Sequence, residues 1–471
     1  MQAKASPGPL CLVLALTMTP LSVAQVKVAP RAKPAPQQED QVGNYSGPGA
    51  CAASSCHGGV QPKTIVRIAQ NEYSIWAAQD KHALAYSVLA NPVSLRMGKI
   101  LGLAQPPNQS DKCLNCHTLN VKAERRSQTF QSIDTGVSCE SCHGPAVGWL
   151  GPHTLKNWTH EQSLKLGMYD TRNLVKRTEQ CLKCHLGTAE KEVDHVMIAA
   201  GHPDLTFQLA TFCADMPRHW KPAADASAWA DVQELAVGQA VQLREALRRL
   251  NRRASSANWP EYAEYECFAC HHSLTTPEAS WRQAGGYPDR APGAPVWNPS
   301  AYAVFRHFAR AVDATTADQL VSLLNEITQL SGKPGAKEQL AVRAQETAKL
   351  ADRIAQQLEA EPYDRNLTTR LLQEIADDSG TISAEGERSA EQATMALDSL
   401  SRAYTKNEQI ANQAELRAAI YELFQQLGNP SAYNGPRFAA QMQKVAKLVP
   451  RQQPSAERGR NLGSAKTKRP L

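Results

Sequence analysis

The sequence predicts a mostly α-helical protein with little β structure, in which a motif-rich N-terminal part precedes a C-terminal helical bundle. Three observations predict it. Apolar residues recur at helical spacing through the second half of the chain. A short cysteine–histidine motif occurs five times between Cys51 and His271, so densely that only short helices and loops fit between the copies. Aromatic residues make up only 6% of the chain, so a group other than side chains is expected to fill part of the interior.

The first 24 residues have the pattern of a signal peptide. Lys4 lies in a short leading region, an apolar stretch runs from Leu10 to Met18, and the small residues Ser22–Ala24 precede the expected cleavage point. The apolar stretch is shorter than the ~20 residues of a membrane span, which favours cleavage over an uncleaved anchor. We therefore expect a periplasmic protein, soluble or peripherally bound to the membrane. Residues 25–45 are expected to be a linker, and no later stretch is expected to cross a bilayer.

Eleven of the twelve cysteines follow the predicted signal peptide, and eight of them form four copies of Cys-x-x-Cys-His. The cysteine pairs are Cys113 and Cys116, Cys139 and Cys142, Cys181 and Cys184, and Cys267 and Cys270, followed directly by His117, His143, His185 and His271. This pattern is the attachment signature of c-type haem. Two thiols about one helical turn apart add to the vinyl groups of one haem, and the histidine reaches its iron as proximal ligand. A zinc site would not require histidine at the same offset each time.

A less regular copy begins at Cys51, which four residues rather than two separate from Cys56 and His57. The longer loop still allows both sulfurs to reach one porphyrin, so attachment through both is favoured, with His57 as proximal ligand. The alternative is attachment through Cys56 alone, with Cys51 in a disulfide with Cys213, which an oxidising compartment permits. Otherwise Cys213 is a leftover, buried thiol. We therefore expect five covalently bound c-type haems and number their sites 1 to 5 in chain order.

Beyond these five proximal histidines, eight remain of the thirteen in the chain, enough for a second ligand at each iron. Two histidines on one iron suit electron transfer, whereas an open position permits substrate binding. The distal candidates are His82, His153, His195, His202 and His219, and the spare histidines are His160, His272 and His307.

Local sequence supports several of the distal candidates. His82 is expected on one face of a helix with Ile75 and Tyr86. His195 and His202 are seven residues apart, but Gly201 interrupts a helix between them, so they are expected to serve different haems. His153 and His219 lie in segments typical of constrained turns.

From about Gly47 to Arg282, the sequence resembles the multihaem cytochromes of the cytochrome c-554 and hydroxylamine oxidoreductase kind. The segments that carry the resemblance are Cys51–Gly59, Trp76–His82, Gly136–Pro145, Asp194–His195, Ala200–Phe207 and Pro217–Trp220. The resemblance implies a multihaem cytochrome c domain, taken as residues 46–290, with distal roles for the five candidate histidines. It does not assign each of them to a particular haem.

The favoured function is electron transfer between redox partner proteins through closely spaced, mainly bis-histidine haems. Membrane-bound quinol-oxidising or terminal reductase systems are the expected partners, and nucleic acid is not. The main alternative is a multihaem oxidoreductase in which one open haem acts on a small nitrogen or sulfur compound. All five motifs end in histidine, whereas related ammonia-forming nitrite reductases commonly have lysine at the catalytic haem, and we identify no catalytic residue. A third interpretation is a non-catalytic subunit whose bundle docks to an enzyme.

Residues 300–430 are predicted to form the helical bundle, after a Pro/Gly-rich linker. Three apolar stripes keep helical spacing, and Gly428 with Pro430 ends the last of them. The stripes are Leu320, Leu323, Leu324, Ile327 and Leu330; Leu350, Ile354 and Leu358; and Leu416, Ile420, Leu423, Phe424 and Leu427. Residues 431–471 hold nine Lys or Arg and one acidic residue, so they are expected to form a basic, disordered tail.

Overall fold

The structure is a computed structural model that describes residues 43–64, 68–221, 226–267, 270–271 and 295–451. The predicted fold class is confirmed. Eighteen α-helices occur in the described ranges, and the β pairings found there are isolated bridges between Tyr45 and Arg126 and between Tyr265 and Trp297. No helix among these residues has both the length and the apolar character that a bilayer span needs. The predicted signal peptide and residues 272–294 lie outside the described ranges.

The motif-rich part consists of short helices separated by turns. Its α-helices are α1 Glu72–Gln79, α2 Pro92–Ile100, α3 Asp111–His117, α4 Cys139–His143, α5 His160–Lys165, α6 Leu174–His185, α7 His195–Ala199 and α8 Leu209–Asp215. Turns of 3-10 helix occur at Pro48–Cys51, Lys81–Leu84, Ser87–Ala90, Pro107–Gln109, Ala123–Arg125, Pro152–Thr154 and Tyr262–Glu264. Polar side chains start several of these helices, including Asn91 before α2 and Asn173 before α6, by accepting a backbone N–H of the first turn.

The expected helix through His82 is wrong. Helix α1 ends at Gln79, and His82 lies in the separate 3-10 turn Lys81–Leu84. The reason is Asp80, which is extended and whose carboxylate accepts the backbone N–H of His82. Short polar side chains of this kind compete with helix continuation and start a new turn. His82 therefore does not share one helical face with Ile75.

The second part is built from longer helices. They are α9 Ala230–Ala254, α10 Ser300–Ala303, α11 Phe305–Val312, α12 Ala314–Ser331, α13 Lys337–Ala360, α14 Arg365–Asp377, α15 Ser379–Ala384, α16 Glu387–Asn407, α17 Gln413–Leu427 and α18 Gly435–Leu448, with a 3-10 turn at Pro430–Ala432. The three predicted apolar stripes lie in α12, α13 and α17, and α17 ends directly before Gly428. These helix predictions are confirmed.

Helix α9 lies at the centre of this bundle, although it precedes the predicted linker. It packs against α13 most extensively and also against α6, α8 and α16. Leu243 and Leu247 are completely buried. A Cβ atom at Gly238 would lie 2.7 Å from the Leu209 side chain, so glycine allows α8 and α9 to approach closely. The predicted boundary between a haem domain ending at residue 290 and a separate bundle is therefore wrong, because α9 supplies the bundle's core.

The tail predicted from residue 431 also begins too early. Residues 435–448 form α18, which starts at the capping side chain of Asn434. Phe438, Met442 and Val445 are completely buried against the other bundle helices. Basic residues among these apolar positions made the segment look like a solvated tail. The bundle thus extends to Val449, and residues 452–471 lie outside the described ranges.

Candidate haem sites

Three of the five motifs lie on helices that end at the motif histidine. Helices α3, α4 and α6 finish at His117, His143 and His185. Because residues three apart share a helix face, this places both cysteines of each motif on one side, with the histidine one residue further on. At site 1 the extra residues form a turn instead, and only glycine fits at Gly58, where a Cβ would lie 1.9 Å from the Ala52 carbonyl oxygen.

Four of the predicted proximal histidines face a predicted distal histidine. In all four pairs the ring centroids lie 6.1 to 6.4 Å apart. The pairs are His57 with His153 at site 1, His117 with His202 at site 2, His82 with His185 at site 4, and His195 with His271 at site 5. These partners lie between 76 and 103 residues apart in sequence, so the fold rather than local geometry brings them together.

The spacing within these pairs matches two imidazoles on opposite sides of one metal ion. Two metal–nitrogen bonds of about 2 Å each, with roughly 1 Å from each nitrogen to its ring centre, place the centroids about 6 Å apart. Direct ring stacking would bring the centroids closer. The residues present therefore fit a haem iron held between each pair.

At site 3, His143 lies close enough to the remaining distal candidate, His219, for the charges of the two rings to interact. Burial, together with charge repulsion from the nearby His219, His57 and His160, lowers the pKa of His143 to about 4. Burial likewise lowers the pKa of His185 to about 4, with a contribution from His82. Both rings are neutral at pH 7, and a neutral imidazole is the form that binds a metal.

The hydrogen bonds of the ring nitrogens differ between the predicted ligands and the spare histidines. In six predicted ligands Nδ1 is bonded to an oxygen, which leaves Nε2 for another partner. The bonds join His57 to Glu72 at 3.0 Å, His82 to Asp80 at 3.0 Å, His117 to the Ala85 carbonyl at 2.8 Å, His153 to the Trp149 carbonyl at 3.1 Å, His202 to the Pro203 carbonyl at 2.8 Å and His219 to the Pro217 carbonyl at 3.3 Å. Metal-bound histidines typically have such a second bond, which orients the ring.

Two of the three spare histidines use the opposite ring nitrogen. Nε2 of His160 lies 3.0 Å from the Asp170 carboxylate, and Nε2 of His307 lies 3.1 Å from that of Asp378. Both rings are thus engaged at the atom that the facing pairs leave for a metal. The third spare, His272, lies outside the described residues.

Contacts between motifs establish which sites are neighbours. Site 1 meets site 3 through the thiols of Cys51 and Cys139, and site 2 meets site 4 through those of Cys116 and Cys184. The hydrogen bond from the Cys116 thiol is the main cause that lowers the pKa of Cys184 to about 5.

The remaining contacts complete the order. Site 3 meets site 4 where the Gln180 side chain donates to the Ser141 carbonyl at 2.5 Å. Site 5 meets site 2 where Lys112, beside the first cysteine of site 2, pairs with Asp194 at 3.2 Å, beside the distal candidate of site 5. These contacts link the sites in the order 1, 3, 4, 2, 5.

The alternative disulfide between Cys51 and Cys213 is not formed. None of the eleven described cysteines is in a disulfide. Cys51 contacts Cys139 instead, and Cys213 lies beside Glu234 and Cys181. Burial raises the pKa of Cys213, a thiol that belongs to no motif.

Sequence reasoning missed three carboxylates of the sites. Glu72 and Asp80 bond to predicted ligands, and Glu140 lies between the two cysteines of site 3. Glu140 is buried and accepts the backbone N–H groups of Ser46, Gly47 and Ala146 at 2.7 to 2.9 Å. It thereby ties the start of site 1 to site 3. A signal was present, because an acid between two attachment cysteines and an acid two residues before His82 are visible in the sequence.

Repeated attachment motifs on short helices, with facing histidine pairs, define a multihaem c-type cytochrome whose cofactor is covalently bound haem. Residues 50–144, which hold sites 1 to 3, match the model of the family described as cytochrome c554 and c-prime. Cytochrome c-554 of Nitrosomonas europaea is 32% identical to this chain over 92 residues. The match covers 18% of this chain and 38% of that protein. No solved structure matches. The predicted resemblance to cytochrome c-554 is thus confirmed over residues 50–144.

Proposed function

We propose that this protein is a periplasmic pentahaem c-type cytochrome that carries electrons between redox partner proteins. The observation that carries the proposal is the set of four facing histidine pairs, with centroids 6.1 to 6.4 Å apart. A histidine on each side of the iron leaves no position for substrate, which favours electron transfer over catalysis.

The protein's residues have three tasks in this function. The cysteine pairs hold each cofactor covalently, and the facing histidines complete its coordination. When bound, c-type haem supplies an iron that cycles between the ferric and ferrous states. The carbonyl and carboxylate partners at Nδ1 orient the six imidazoles that have such a bond and leave Nε2 directed toward the iron position.

The order of the sites gives the proposed path. Electrons pass along neighbouring sites in the order 1, 3, 4, 2, 5, or in reverse, and partners exchange them at the two ends. Site 5 is one end of this series, and Arg388 and Glu387 at the start of α16 lie near its cysteine Cys267. The bundle therefore borders the site 5 end, and we propose it as the support for a partner there.

Two measurements on the mature protein test the proposal. Intact mass should correspond to five attached haems, and electron paramagnetic resonance of the oxidised protein should show only low-spin iron. A mass for four haems would remove site 1 as a two-cysteine attachment site. A stoichiometric high-spin signal would instead favour the oxidoreductase with one open haem.

A matched pair of variants tests the histidine assignments. His82→Ala should leave five haems attached but convert one iron to high spin, because distal ligation is independent of thioether attachment. His160→Ala should change neither property, since Nε2 of His160 is bonded to Asp170. An unchanged spin state in His82→Ala would refute the pairing of His82 with His185.

A further inference from the structure

We propose that the carboxylates of Asp80 and Glu72 lower the reduction potentials of sites 4 and 1 below those of sites 2 and 3. The inference rests on the proposed function, in which His82 and His57 are iron ligands. Each carboxylate bonds to the ring nitrogen of its histidine that faces away from the iron. Asp80 and Glu72 are thus positioning residues that act through a ligand.

Asp80 is well placed for this task. Its side chain is 6% exposed, and Oδ1 lies 3.0 Å from Nδ1 of His82. The same oxygen accepts the backbone N–H of His82 at 2.9 Å, so the carboxylate and the ring are held by two bonds. A buried carboxylate in this position is little screened by water, and its charge acts strongly on the ring.

Glu72 holds His57 in a similar way at site 1. Oε2 of Glu72 lies 3.0 Å from Nδ1 of His57, and the side chain is 16% exposed. The other carboxylate oxygen accepts the backbone N–H groups of Ala69 and Gln70 at 2.9 and 3.2 Å. These bonds orient the carboxylate toward the ring.

Sites 2 and 3 use a weaker partner. At site 2 both ligands donate Nδ1–H to backbone carbonyls, from His117 to Ala85 and from His202 to Pro203. At site 3, His219 likewise donates to the Pro217 carbonyl. A carbonyl carries only a partial charge, whereas a carboxylate carries a full one. Hydrogen bonds to an ionised acceptor are roughly twice as strong as neutral ones.

The difference has a direct effect on the iron. A carboxylate that accepts Nδ1–H makes the imidazole a stronger electron donor, and second bonds of this kind tune the metal that the ring holds. A more strongly donating ligand stabilises the ferric state, so the potential falls. Along the order 1, 3, 4, 2, the sites with a carboxylate bonded to Nδ1 alternate with the sites where a backbone carbonyl is bonded to Nδ1.

Redox titration of the holoprotein at one pH tests the proposal. Asp80→Asn keeps the shape of the side chain and an oxygen for both bonds but removes the charge. The midpoint potential of one low-potential haem should rise by about 59 mV, which corresponds to a tenfold change in the equilibrium constant of a one-electron reduction. Glu72→Gln should raise a second low-potential haem in the same direction. Asp80→Glu, which restores the charge, should return the first potential toward its original value.

Asp378→Asn is the matched control, because Asp378 bonds to Nε2 of the spare histidine His307, in the bundle, at 3.1 Å. It should leave every midpoint unchanged. The proposal is overturned if Asp80→Asn leaves the titration unchanged, or if Asp378→Asn shifts it equally.

Measurements of haem content and spin state distinguish a failure of this inference from a failure of the proposed function. Five low-spin haems in Asp80→Asn with unchanged midpoints would refute the inference and leave the proposed function standing. Fewer than five haems in the unmodified protein, or an unchanged spin state in His82→Ala, would instead refute the proposed function.

Discussion

The motif-rich part and the helical bundle differ in what fills their interiors. In the bundle, long helices bury continuous apolar stripes, and residues such as Leu247, Phe305 and Phe438 are completely buried. In the motif-rich part, the helices are short and nine of the ten predicted ligand histidines are only half-buried. The comparison indicates that side chains alone form the bundle's core, whereas the motif-rich part depends on its cofactors for one.

The largest effect is expected from removing one cofactor. Cys139→Ser combined with Cys142→Ser should reduce the intact mass by one haem and make residues 43–221 sensitive to limited proteolysis, while residues 295–449 stay resistant. The reason is that site 3 contacts both site 1 and site 4. Cys213→Ser is the control and should keep every haem, since Cys213 belongs to no motif. Equal proteolysis of both parts would contradict the contrast between them.

Next in size is the removal of a core side chain from the bundle. Phe438→Ala deletes a fully buried ring of α18 and should lower the free energy of unfolding by about 3–5 kcal/mol, with haem content unchanged. Tyr421→Ala is the control, because its side chain is 63% exposed on α17, and it should cost under about 0.5 kcal/mol. Chemical denaturation followed by circular dichroism measures both. If the two variants proved equally stable, α18 would not belong to the core.

A smaller effect is expected at the buried carboxylate that joins sites 1 and 3. Glu140→Gln places an amide NH₂ group where Ser46, Gly47 and Ala146 direct their N–H groups, so at least one donor loses its acceptor. The cost should be about 1–3 kcal/mol, measured by denaturation in the motif-rich part. Glu124→Gln, at an exposed position, should change nothing. Equal stability of the two variants would show that Glu140 does not hold these segments together.

The smallest effect concerns pH and the bundle. Burial, with repulsion from Glu391, raises the pKa of Glu387 from 4.5 to about 7. The unfolded chain therefore loses this proton at lower pH than the folded chain, so folding is increasingly disfavoured from about pH 4.5 to pH 7 and by a constant amount above. Glu387→Gln should raise the thermal midpoint by roughly a few degrees near pH 8 and not near pH 4. The exposed Glu415→Gln should show no such pH dependence, and the same midpoint change at both pH values would contradict the raised pKa.

The sequence could predict what is local. The attachment motifs require residues three and four apart, and the stripes of α12, α13 and α17 repeat within single helices, so both are readable without a fold. The pairing of His82 with His185 is not, because it depends on how two segments 103 residues apart approach each other. The central role of α9 was missed for a related reason. Its Leu243 and Leu247 have helical spacing, but only the packing of α13 against them shows which part they belong to.

The ring planes within the histidine pairs fall into two groups. At site 1 the planes of His57 and His153 differ by 7°, whereas at site 4 those of His82 and His185 differ by 88°. Parallel imidazoles raise the energy of one iron d orbital of π symmetry above its partner. Perpendicular imidazoles raise both alike and leave them nearly degenerate. In the ferric state the near-degenerate pair gives the unpaired electron a large orbital moment. With the bis-histidine coordination proposed above, the protein should therefore contain two magnetically distinct kinds of low-spin iron, with site 4 showing the greater g anisotropy.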